Sequence, residues 1–234
     1  MPTIIEMGKN EILIREFERE ISKGQGGYRP RKDSTISPNF EKNMKQTSRR
    51  RRNDVYNLIL DNFTENESVF VTLTFANHID DLEVAHKELK KFLDRYKYKY
   101  GDANYVIVYK KQSSSERWHY HIVMSPVTTK ADVECLWPLG TSDAQIVYSI
   151  RGIANYLTEN MLDAERSGEI PSGKKAYKAS AGLYRRKIIK DDDAHFKSIR
   201  DALDHDRHGK IVFSTHSRYV GKYCIKAYPI KSTE

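Results

Sequence analysis

Val69-Phe-Val-Thr-Leu-Thr-Phe75 constrains this chain more than any other stretch, because an unbroken run of β-branched, aromatic and aliphatic residues reads as a strand. Leu82, Ala85, Leu89, Phe92, Leu93 and Tyr96 follow at helical spacing with Lys and Glu between them, an amphipathic helix lying on that strand's sheet. Tyr105–Lys111 and Trp118–Ser125 read as two strands joined through Ser113-Ser-Ser-Glu116, a hairpin. Ala131–Trp137 is a short helix closed by Pro138 and Gly140, Ala144–Tyr148 a strand, and Ile150–Leu162 a helix with Ile153, Tyr156, Leu157 and Met161 at helical spacing. Residues 166–210 form a polar insertion rich in charge, and Ile211–Thr215 with Tyr219–Tyr228 close the chain as a hairpin. This order predicts an α+β fold: a single antiparallel sheet with helices mainly on one face. No internal repeat is present.

The charge is unevenly spread. Lys and Arg number 40 against 32 Asp and Glu, a net +8. Residues 1–53 hold 13 of the basic residues and 7 of the acidic ones, so this segment carries +6 and the other 181 residues only +2. Within it, Lys23–Lys32 is loop-like, with three glycines and a proline, and Arg49-Arg50-Arg51-Arg52 leads into Val55, Leu58 and Ile59, a short amphipathic helix. The predicted organisation is a basic N-terminal arm with a helical extension over 1–53, then one domain over 54–234. Such an arm is either a solvated tail or a segment that contacts phosphates, and its concentration favours the second.

Other classes fall away. The longest apolar runs, such as Val106–Tyr109, are far too short for the roughly 20 residues that span a bilayer. No secretory leader is recognisable at the N-terminus, and two cysteines, Cys135 and Cys224, make neither a disulfide framework nor a CxxC zinc site. The expectation is a cytoplasmic protein with an affinity for polyanions.

The chemistry centres on His119-Tyr120-His121. Residues two apart on a strand share a face, so both imidazoles project the same way and make half a site for a divalent ion. Two half-buried strand histidines with no ligand are the alternative. Lys110-Lys111-Gln112 ends the neighbouring strand, and Tyr156 lies on a helix able to pack across the sheet near the imidazoles. A tyrosine beside a divalent ion is a phosphodiester nucleophile. Away from such an ion, Tyr156 is simply one of 15 tyrosines. Trp118 and Tyr120 alternate with the histidines and face the core, while His205 and His208 with Asp204 and Asp206 read as a solvated turn.

Phe70-Val-Thr-Leu-Thr-Phe75, Trp118-His-Tyr-His-Ile-Val123 and Gly152-Ile-Ala-Asn-Tyr-Leu157 resemble the three ordered motifs of rolling-circle replication initiators, the HUH endonucleases of phages and plasmids. Leu136-Trp-Pro-Leu-Gly140, Gly173-Lys-Lys-Ala-Tyr177 and Gly182-Leu183 extend the likeness over roughly residues 45–188. The resemblance implies a ferredoxin-like, RRM-like sheet and a nickase acting on single-stranded or hairpin origin DNA. It implies Mn²⁺ or Mg²⁺ on His119 and His121 with a third polar ligand, and Tyr156 as the nucleophile that forms a 5′-phosphotyrosine. Without a P-loop, a host helicase would open the duplex and a host polymerase would extend the freed 3′ end. One candidate tyrosine implies either a second protomer, as a homodimer, or reuse of Tyr156 for the second nick.

Three positions in two motifs depart from the family pattern. Relatives carry Glu-x-Gln before the hairpin; here the glutamate position is Lys110, which leaves Gln112 as the third ligand. Relatives often read Tyr-x-x-Lys-Tyr at the third motif; here Glu159 and Asn160 follow Tyr156, and Glu159 is a candidate metal ligand or acid–base group. Tyr219 to Lys226 fits the tyrosine–lysine pattern better, but it reads as strand and lies about 100 residues past His121. Arg49, Arg50, Arg51, Arg52 and Lys110 are the candidate DNA contacts. The competing readings are a DNA-binding descendant that does not cut and a single-tyrosine transposase.

Overall fold

The computed structural model describes residues 3–19, 40–112, 115–171, 174–190, 195–204, 209–217 and 221–230. Lys23–Lys32, Asp191–Asp193, His205, Asp206, His208 and Tyr219 lie outside them. The elements in chain order are β1 (Thr3–Met7), β2 (Glu11–Phe17), α1 (Phe40–Asn62), β3 (Val69–Phe75), α2 (Leu82–Tyr100), β4 (Asn104–Lys111) and β5 (Trp118–Ser125). They continue with α3 (Lys130–Leu136), β6 (Gly140–Ile146), α4 (Ile150–Arg166), β7 (Tyr177–Ala179), β8 (Lys187–Lys190), α5 (Phe196–Asp204), β9 (Lys210–Ser217) and β10 (Gly221–Pro229).

The fold is α+β, as expected, but it contains two antiparallel sheets rather than one. The chain divides into two compact units, Glu41–Tyr184 and a second built from Met1–Phe40 with Arg185–Glu234. In the second unit the strand order is β8-β1-β2-β10-β9, and Ile5, Ile14, Ile189 and Tyr228 form a core with Phe196 and Leu203 of α5. The predicted helical arm is therefore corrected in part. Thr3–Phe17 is a strand pair inside a sheet, closed by partners about 180 to 220 residues away, such as Ile5 with Ile189 and Arg15 with Ile225. Local periodicity carries no information about partners that distant.

In Glu41–Tyr184 the order is β6-β3-β5-β4-β7, with β5 in the middle and buried along nearly all its length. Alternation divides each strand between two cores. Val69, Val71, Leu73 and Phe75 of β3 join Leu82, Ala85, Leu89, Phe92 and Tyr96 of α2 on one face. Val106, Val108 and Val123 join Val55, Leu58 and Ile59 of α1 and Leu157 and Met161 of α4 on the other. The expectation of helices mainly on one face is corrected by this second layer. Its source is α1, which is 23 residues long and whose apolar stripe needs cover.

Local signals set the helix ends. Asp81 caps α2 by accepting from the amides of Glu83 (2.7 Å) and Val84 (3.4 Å), and Gly101, at φ 84°, ends it with its amide on the Lys97 carbonyl. Ser149 caps α4, its hydroxyl accepting from the Gly152 amide at 3.2 Å. β6 starts at Gly140, earlier than the strand predicted from Ala144, and runs beside β3 from Phe75 to Val69. A Cβ at Gly140 would overlap the Thr74 carbonyl oxygen, so the close approach of these strands requires glycine.

Candidate functional site

The pleat and register of three strands assemble one polar patch. Thr72 lies opposite His121 and Thr74 opposite His119 across β3 and β5, while Lys110 of β4 lies opposite His119 from the other side. All five side chains fall on one sheet face. Helix α4 crosses that face with Leu157 and Met161 buried, which turns Tyr156 and Asn160, one helical turn apart, toward the histidines. Together with Gln112 these residues line a cavity of about 320 Å³.

The geometry is close. His119 Nε2 and His121 Nε2 are 3.1 Å apart, and the Tyr156 hydroxyl is 3.4 Å from His121 Nε2. Thr72 Oγ1 lies 3.3 Å from His121 Nδ1, whereas His119 Nδ1 is buried with no hydrogen-bond partner among the described residues. Phe70 orients two of these groups: its ring stacks on His121 at 5.7 Å and meets Tyr156 edge-on at 5.7 Å. Asn160 is buried and donates to the Tyr156 carbonyl at 2.8 Å. Tyr156 itself is 46% exposed, so the nucleophile candidate stands at the mouth of the cavity.

Burial is the main force on the imidazoles. It pulls His119 down to about 4, helped by the positive charge of Lys110 and opposed by Glu169. It pulls His121 down to about 3, helped by His119 and Lys110. Both rings are therefore neutral at neutral pH and carry lone pairs, the form a metal ion takes. Two nitrogens bound to one ion at about 2.1 Å sit about 3.0 to 3.4 Å apart for right-angled to tetrahedral geometry, and the observed 3.1 Å fits. Gln112 offers a carbonyl oxygen, held by the Ser115 hydroxyl at 3.0 Å. Among the described residues no group of three or more His, Cys, Asp or Glu is placed to hold a metal.

The other sequence candidates separate clearly. Glu159 does not line the cavity; its carboxylate accepts from Arg52 at 3.0 and 3.2 Å. Arg51 donates to Glu165 at 2.5 Å, and Ser48 donates to the same carboxylate at 2.8 Å. Arg51 and Arg52 thus tie α1 to α4, while Arg49 and Arg50 are exposed. Tyr223 belongs to the other unit, where its hydroxyl accepts from Arg15 at 2.9 Å and its ring stacks on Phe17 at 4.9 Å. Thr72, Thr74 and Phe70 were not singled out from the sequence as site residues. The signal was the alternation of β3, which puts its small polar residues on the histidine face.

Residues 68–165 match the family model described as replication-associated protein ORF2/G2P. The match runs from the start of β3 to near the end of α4 and includes every residue that lines the cavity. The likeness supports a role in DNA replication. No curated protein and no solved structure matches the chain. Among the described residues no helix is long and apolar enough to cross a membrane.

Proposed function

We propose that this chain is a rolling-circle replication initiator of the HUH type, a metal-dependent endonuclease that nicks single-stranded origin DNA. One observation carries the reading: the Tyr156 hydroxyl lies 3.4 Å from a histidine pair in a polar cavity, within the segment similar to replication-associated proteins. Tyr156 Oη attacks the scissile phosphorus, the bond from phosphorus to the 3′ oxygen breaks, and the phosphate remains on the tyrosine as a 5′-phosphotyrosine. The phenol's proton passes to solvent at the open mouth, and the departing 3′ oxygen takes one up. One phosphodiester replaces another, so rejoining needs no nucleotide.

His119 and His121, with the Gln112 carbonyl, would hold a Mn²⁺ or Mg²⁺ ion. When bound, that ion supplies polarisation of the scissile phosphate. The protein's own contribution is orientation. Phe70 fixes the ring planes of His121 and Tyr156, and the Asn160 amide and the Ser149 cap fix the helix that carries the nucleophile. Arg49 and Arg50, exposed on α1, serve as phosphate contacts outside the cavity.

The test is a labelled single-stranded origin hairpin incubated with Mn²⁺ and resolved on a denaturing gel. The reading expects a cut strand and a covalent protein–DNA band, both lost in Tyr156→Phe. Nicking that persists in that variant overturns the assignment of Tyr156. A second reading, a DNA-binding descendant that no longer cuts, is favoured by Lys110 standing in a cavity without a carboxylate. It predicts DNA that is shifted on a native gel and intact on a denaturing one.

A further inference from the structure

Among the described residues Lys110 is the one cationic side chain lining the cavity. It faces His119 across the β4–β5 ladder, and its charge is felt by both imidazoles. It forms no ion pair among the described residues. Its neighbour differs: Lys111 points to the opposite face, lies 3.7 Å from Asp80 and sits 5.5 Å over the Trp118 ring. Glu169, the carboxylate that acts on His119, accepts the Lys111 amide at 2.8 Å and does not line the cavity. Lys110 is only partly buried, so its ammonium stays within reach of an anion that enters the cavity. The cavity otherwise offers hydroxyls and amides from Thr72, Thr74, Gln112 and Asn160, a lining with no negative charge.

We propose that Lys110 is a phosphate-binding residue, whose ammonium takes a non-bridging oxygen of the phosphodiester facing Tyr156 without the help of a metal ion. This rests on the reading above that single-stranded DNA enters this cavity. Lys110 would hold the strand by charge, leaving His119 and His121 to the cation proposed above. An ammonium suits this task as a compact point charge that needs no planar partner.

The test uses the full chain in the Tyr156→Phe background, in EDTA, with a short fluorescein-labelled oligothymidylate and anisotropy across a salt series. Lys110→Gln should weaken binding about tenfold at low salt and reduce the slope of log affinity against log salt by about 0.7, the loss of one single-strand phosphate contact. Lys110→Arg should restore both. A purely structural role would lower affinity without moving the slope. Unchanged affinity and slope in Lys110→Gln, or an unchanged slope alone, overturn the proposal. Should Lys110→Gln fail to fold, Lys110→Met is read against Lys110→Arg by the same slope. These binding data do not depend on cutting. Loss of the Lys110 effect leaves the Tyr156 chemistry standing, and nicking by Tyr156→Phe removes that chemistry while the Lys110 result stands.

Discussion

Histidines stand against both faces of β5, to different ends. On the α2 face, His86 lies against Tyr120 and Tyr109, its Nδ1 3.2 Å from the Tyr120 hydroxyl and its ring edge-on to Tyr109 at 4.6 Å. On the α4 face, His119 and His121 look into an open cavity, and His119 Nδ1 has no partner among the described residues. Burial is the leading cause of depressed basicity on both sides, holding His86 at about 4, His119 at about 4 and His121 at about 3. A shifted histidine therefore does not by itself mark a site here. What separates the faces is satisfaction and access: one imidazole is hydrogen-bonded inside a packed aromatic cluster, and the other two converge on space that a ligand can enter.

The sharpest way to break this contrast is at the cavity. Under the proposed chemistry Tyr156→Phe removes the covalent adduct altogether, whereas Tyr120→Phe, on the packed opposite face, leaves cutting intact; equal losses in the gel assay would erase the distinction. Next in size, His119→Ala should weaken Mn²⁺ binding by more than the roughly 100-fold that loss of an outer-shell partner costs, since it removes a proposed ligand itself, and calorimetry of the purified chain measures it. His86→Gln should leave Mn²⁺ affinity unchanged.

Stability discriminates in the opposite direction. Tyr120→Phe takes its partner from the half-buried His86 Nδ1 and should cost about 1 kcal/mol in denaturant unfolding. A neutral result would show that the packed face does not depend on that hydrogen bond. The pH response follows from the three depressed imidazoles. Between the ordinary value of about 6.5 and the folded values near 3 to 4, the unfolded chain binds protons that the folded chain refuses. This contribution is intact above about pH 6.5 and is lost as the pH falls toward those folded values, so the urea midpoint should drop on acidification. His86→Gln should make the drop shallower, and an unchanged profile would remove His86 from the account. The smallest effect expected is that of Arg52→Ala, whose partner Glu159 is 54% exposed on its side chain; it should cost less than about 1 kcal/mol.

Much of the unit Glu41–Tyr184 was legible from local pattern. The alternation of Val69–Phe75, the stripe from Leu82 to Tyr96, the Trp118–Ser125 strand and the helix carrying Tyr156 lie within a few residues of the elements observed. The HxH spacing also fixed a common face for both imidazoles, and the hairpin placed Lys110 beside His119. Less was legible in residues 166–210. That polar insertion conceals β7, which pairs with β4, and β8, which pairs with β1, because short edge strands such as Lys187–Lys190 bury only one side chain and leave a weak pattern. The arginine run was also ambiguous, since periodicity does not reveal that Glu159 and Glu165 stand opposite Arg52 and Arg51.

The sequence by itself determined the period of each long element and the face on which each side chain emerges, because those depend on backbone geometry within a few residues. Tertiary structure alone decided that Thr3–Phe17 belongs to a second sheet and that helices cover both faces of the first. It also decided that Glu159 is spent on Arg52 and that Lys110, Gln112 and Tyr156 share one cavity with the histidines. Those outcomes depend on which distant surfaces meet. That choice is made by burial of apolar area and by the pairing of charges across the fold, and neither is written in any local stretch.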